Sequence, residues 1–132
     1  MGEVISFMNE ALLTNTLNKF AARKCEAESL YGESERWWQK NEKESDFWKL
    51  TDAEEELYKR LRHVDELMDA IWKFLDELWA IETPSAEEKE AKDYLVKLYD
   101  ETHGVYKKFS ELLKAARDRM VLVHALAMEE EN

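Results

Sequence analysis

The stretch SAEEKEAKDYLVKLYDETHGVYKKFSELLKAARDRMVLVHALAM, residues 85–128, decides the fold. Ala91, Leu95, Leu98, Thr102, Val105, Phe109, Leu112, Ala116, Arg119, Val123 and Leu126 follow one another in alternating steps of four and three. That is the seam of a helix gripping a neighbouring helix over most of its length, with Arg119 a clear misfit and Thr102 a mild one. Tyr99, Tyr106, Leu113 and Met120 run beside it at sevens and widen the buried face. At 1.5 Å per residue the helix is about 65 Å long. Gly104 interrupts the composition but not the phase, so it predicts a kink at most.

Immediately upstream, Thr83-Pro84-Ser85 is a turn, and Ser85 with Glu88 forms a capping box that opens the long helix. So short a connection makes the preceding helix antiparallel. That helix is predicted over 52–81, opened by a second capping box, Thr51-Asp52-Ala53-Glu54. Leu57, Leu61, Val64, Met68, Ile71, Leu75 and Leu78 form its seam, flanked by Tyr58, Trp72 and Trp79 on one side and Leu67, Phe74 and Ile81 on the other. Trp72 and Trp79 are read as packing, and the wide apolar arc predicts contact with two neighbours. A first helix is predicted over about 3–31, ending at or passing through Gly32. Residues 33–49 form a further helical candidate with a break before Thr51. The fold class is therefore all-α: a helical bundle built on a long antiparallel coiled-coil-like hairpin (52–81 and 85–128), packed by the N-terminal helix. Residues 1–132 form one domain.

Composition narrows the function. Three glycines and one proline leave little turn vocabulary for a sheet. The net charge of −11 repels phosphate, and the small basic groups Lys107–Lys108 and Lys114–Arg117–Arg119 are flanked by acids. No direct nucleic-acid binding is expected. No run of apolar residues is long enough for a membrane span, and no signal peptide is read. Met1-Gly2-Glu3-Val4-Ile5-Ser6 fits the formal myristoylation pattern without basic support. Cys25 is the one cysteine, expected as a buried, inert thiol in a reducing, cytoplasmic setting. Abundant Glu and Lys with few amides is the direction thermophile proteins lean, which leaves an archaeal or archaeal-virus source open, the latter with a virion location.

No constellation completes a catalytic or metal set, so no cofactor, metal or catalytic residue is expected. Asp100 and His103 lie one turn apart, but a carboxylate-bridged di-metal site needs matching pairs on facing helices. All-α nucleotide pyrophosphatases hold magnesium with a Glu-x-x-Glu on one helix and a Glu-x-x-Asp on the next. Glu66-Leu67-Met68-Asp69 has the second spacing, no Glu-x-x-Glu precedes it, and Glu87 and Glu90 follow in the wrong order. The acidic strip Asp65, Glu66, Asp69, Asp76, Glu77 and Glu82 is either a solvated face or an imitation of nucleic-acid phosphate. The adjacent Trp37 and Trp38 are candidates for a partner surface. So are Met120, Leu122, Val123 and Leu126, because the end of the long helix is apolar and outruns its antiparallel neighbour. The apolar start of the first helix, Val4 to Leu13, and a second chain are both expected to cover that end, since one helix cannot enclose another that is apolar all round. The expected function is a non-catalytic structural or protein–protein interaction protein that forms a homodimer. The rival readings are an acidic inhibitor that mimics nucleic acid and a metal-dependent all-α nucleotide hydrolase.

Overall fold

A computed structural model describes residues 10–131 as three helices: α1 (Glu10–Asn41), α2 (Phe47–Trp79) and α3 (Ala86–Glu131). Among the described residues there is no strand. The helices run up, down and up, so α1 is parallel to α3 and antiparallel to α2. The sense is set by which side chains meet. Leu13 and Phe20, early in α1, share a core with Ile71, Leu75, Leu78 and Ile81 and with Ala91, Leu95 and Leu98. Ala27, later in α1, joins Leu57, Val64, Met68, Val105, Phe109, Leu112, Leu113 and Ala116. The closest packing is between α2 and α3.

The buried positions of α1 are Leu13, Phe20, Ala27 and Ser34, spaced by sevens. This narrow stripe carries a hydroxyl at its last position, and Arg60 of α2 satisfies it. The Arg60 guanidinium donates to Ser34 Oγ at 2.7 Å and to the Leu30 carbonyl at 3.2 Å, and pairs with Glu33 at 3.2 Å and Glu56 at 3.1 Å. Cys25 lies off the stripe and is exposed, contrary to the expected buried thiol. The apolar stretch around it is real, but its period turns Cys25 outward. Residues 3–9 of the expected first helix, with the myristoylation pattern, lie outside the described residues.

Two boundaries move. Helix α1 continues through Gly32 to Asn41, where Asn41 Nδ2 donates back to the Trp37 carbonyl at 2.8 Å. Helix α2 begins at Phe47 rather than after Thr51. Its N-cap is Asp46, whose carboxylate accepts from the amides of Trp48 (3.0 Å) and Lys49 (3.3 Å). Thr51 is inside the helix, its hydroxyl donating to the Phe47 carbonyl at 2.9 Å. Glu54, expected to close the box on Thr51, instead accepts from Arg117 of α3 at 2.8 Å. The earlier start is favoured because an acidic cap one turn upstream adds a helical turn that buries Leu50 completely.

The capping box at the head of α3 forms as expected. The Ser85 amide donates to Glu88 Oε1 at 2.8 Å and the Glu88 amide to Ser85 Oγ at 3.1 Å. Glu88 is buried, and its Oε2 has no hydrogen-bond partner among the described residues. Helix α3 is unbroken through Gly104, where an added methyl group would meet nothing within 4 Å. The two seam misfits resolve differently. Thr102 is fully buried and donates to the Leu98 carbonyl at 2.7 Å. Arg119 donates from Nε to the Glu44 carbonyl (2.8 Å) and from Nη2 to the Lys43 carbonyl (2.9 Å), tying α3 to the α1–α2 connection.

Candidate interaction surfaces

Three surfaces carry the residues singled out above. The first is the end of the bundle where α2 starts and α3 finishes. Phe47 packs near Trp48 and His124, with ring centroids 5.8 and 5.9 Å apart. Thus α2 reaches along α3 to about His124, and the unsupported end of α3 is shorter than a helix starting after Thr51 implies. It remains apolar and open. Val121 is 70% exposed, and Leu122, Leu126 and Met128 are each about half exposed. Of the four expected partner residues here, Leu122 and Leu126 face solvent, Met120 is half-buried and Val123 is buried in its own bundle. Trp48, 73% exposed at the same end, was not among the candidates. The break at 42–46 sets it on a different helix from Trp37 and Trp38.

The start of α1 does not cover this end. Glu10, Leu13, Thr14 and Leu17 line a cleft with Glu87, Glu90, Ala91 and Tyr94, at the opposite end of the bundle. This corrects the expectation that Leu13 and its neighbours could shield the α3 tail. Helices α1 and α3 run in parallel, so their start and finish are a bundle length apart. Val4 to Met8 lie outside the described residues.

The second surface is the groove between the late part of α1 and the early part of α2, lined by Glu33, Ser34, Trp37, Asp52, Ala53, Glu56, Leu57 and Arg60. Trp37 and Trp38 lie with centroids 6.3 Å apart. Both are half-buried, Trp38 against the core cluster around Phe109 and Trp37 on the groove.

The third lies along α2. Trp72 and Trp79, read from sequence as packing, are nearly half exposed. Their rings meet edge to face at 5.5 Å, and Trp72 contacts Tyr99 of α3 at the same distance. Asp65, Met68, Asp69, Trp72 and Tyr99 line a shallow cleft there. Periodicity reveals how wide an apolar arc is but not how many neighbours are available to fill it. Among the described residues only α1 and α3 are, and the outer flank of α2 is left over.

The histidines and paired carboxylates do not converge. His63 is exposed, with Nδ1 3.8 Å from Glu66 of the same helix. His103 stacks on Tyr106 with centroids 6.3 Å apart. Among the described residues no group of three or more His, Cys, Asp or Glu side chains is placed to hold a metal ion. Among them, too, no helix is long and apolar enough to cross a membrane. Two titrations are perturbed. Burial, then the hydrogen bond to the Glu35 carboxylate, pushes the Tyr31 phenol up to about 12. The hydrogen bond from Lys24 to Glu101, at 3.1 Å, raises the Lys24 ammonium above its usual value against the opposing effect of burial. The Lys24–Glu101 pair joins α1 to α3, whereas Tyr31 and Glu35 lie one turn apart within α1.

Comparison with protein-family models, curated proteins and solved structures finds no match to this chain.

Proposed function

We infer that this chain is a non-catalytic helical interaction module that self-associates through the end of α3, with a two-fold dimer as its simplest closed form. The observation that carries this reading is the exposure of Val121, Leu122, Leu126 and Met128 together on one helix end. Singly exposed apolar side chains are ordinary, but a contiguous group of four marks a contact surface.

Charge favours a second copy as the occupant. The chain carries 30 acidic residues, yet none falls between Asp118 and Glu129. Two copies of so acidic a protein repel each other over most of their surface. The 119–128 segment, with Arg119 and His124 as its only polar side chains, is where they can meet without opposing carboxylates. The one cysteine, exposed and with no disulfide partner in its own chain, suits a reducing compartment such as the cytoplasm.

The test is Leu122→Glu combined with Leu126→Glu. Both side chains face solvent, so the variant keeps its helical circular dichroism while its light-scattering mass falls to that of one chain. A folded variant that retains the wild-type mass at equal concentration contradicts the reading.

A further inference from the structure

Along α2, Asp65, Asp69, Trp72, Asp76 and Trp79 fall at steps of four, three, four and three. At about 100° per residue they occupy one stripe roughly 80° wide, with carboxylates and tryptophans interleaved. All five are exposed. Asp69 pairs with Lys73 of its own helix at 3.0 Å, both side chains well solvated. Neither Asp65 nor Asp76 has a salt bridge among the described residues.

Two turns toward the N-terminus, the same stripe continues as Glu54 and Tyr58, and there the structure holds an occupant. Arg117 of α3 places its guanidinium carbon 5.9 Å from the Tyr58 ring centroid while Nε and Nη2 both lie 2.8 Å from Glu54 Oε1. One arginine from a neighbouring helix thus satisfies a carboxylate and an aromatic face one turn apart. Asp69 with Trp72 and Asp76 with Trp79 repeat that combination farther along the stripe. Opposite them α3 supplies no arginine, and Tyr99 stands against Trp72.

We propose that the stripe Asp65–Asp69–Trp72–Asp76–Trp79 is a receptor for arginine side chains on a segment of a partner protein. Arginine fits better than lysine because its planar guanidinium can stack on an indole and bond a carboxylate at the same time. A second copy of this chain is disfavoured here, since it would bring its own carboxylates to an acidic stripe. The stripe does not depend on the α3 tail, and its test has a separate readout.

The probe is a fluorescein-labelled amphipathic peptide of alanine and leucine carrying arginines at helical spacing, with its lysine twin for comparison. Binding is followed by fluorescence anisotropy with the full chain. The arginine peptide binds more tightly than the lysine peptide. Trp72→Ala with Trp79→Ala weakens it about tenfold, as does Asp69→Asn with Asp76→Asn, which leaves the aromatic packing in place. Glu66→Gln with Glu77→Gln removes the same charge off the stripe and changes affinity by less than about threefold. Circular dichroism checks that each variant is folded. Absence of binding to the wild type overturns the proposal. So does an equal loss in the off-stripe variant or equal affinity for the two peptides, since either means general attraction to an acidic protein. A fall in light-scattering mass on replacing the tryptophans also overturns it, by showing that a second copy occupies the stripe.

Discussion

Arg119 reads in the heptad as a fault and acts in the structure as a tie, holding the Lys43 and Glu44 carbonyls of the α1–α2 connection. Those carbonyls lie just past the end of α1, where backbone acceptors lack helical partners. Asp46 supplies the complementary donor-side cap for α2. Replacing Asp46 with Ala should therefore cost about 0.5–2 kcal/mol in denaturant unfolding. Thr51→Ala should cost less than about 0.5 kcal/mol, because a hydroxyl bonded back into its own helix adds little. Equal losses would place the helix start at Thr51 after all. Tyr31 gives a pH signature. Its phenol holds its proton more tightly in the folded chain, so its stabilisation is complete below the ordinary tyrosine value of 10.0 and is lost as pH rises toward about 12. Lys24 acts in the same direction, its contribution lost as pH rises through its elevated value. Tyr31→Phe should flatten the fall in stability above pH 10.0 seen by circular dichroism melts; an unchanged slope would remove Tyr31 as a cause.

At the scale of the helix, what could be read in advance is what repeats. The seams of α2 and α3 appear in the core nearly residue for residue, from Leu57, Val64 and Ile71 to Leu95, Phe109 and Ala116. The Ser85–Glu88 box forms, whereas the identical spacing at Thr51–Glu54 does not. The difference is tertiary: Glu54 has Arg117 within reach, and a start at Phe47 buries Leu50. Neither partner is visible locally. The same limit applied to Trp72 and Trp79, whose exposure depends on α1 and α3 being the only other helices among the described residues. Gly104 is a case where continuity of phase was the correct guide. With open space around its Cα and helix on both sides, Gly104→Ala should raise stability by about 0.5–1 kcal/mol. A loss in chemical denaturation would show that the helix needs glycine there.

At the scale of the molecule, the longest of the three helices among the described residues outruns the other two. Helix α3 has 46 residues against 33 in α2, so its final turns pass the point where Phe47 meets His124. The apolar overhang was legible in the sequence; what shields it was not, because Leu13 turned out to pack at the far end with Leu78 and Ile81. The surface includes an acidic, aromatic flank on α2 and, near the end of α3, a segment 119–128 without carboxylates that precedes Glu129, Glu130 and Glu131. Such a surface suits a module that meets its own kind at one end and a different partner along its side. The most direct measurement is the light-scattering mass of the wild-type chain at high micromolar concentration. Self-association through the α3 tip requires twice the single-chain mass of 15.7 kDa, falling on dilution; a mass that stays at 15.7 kDa throughout contradicts it.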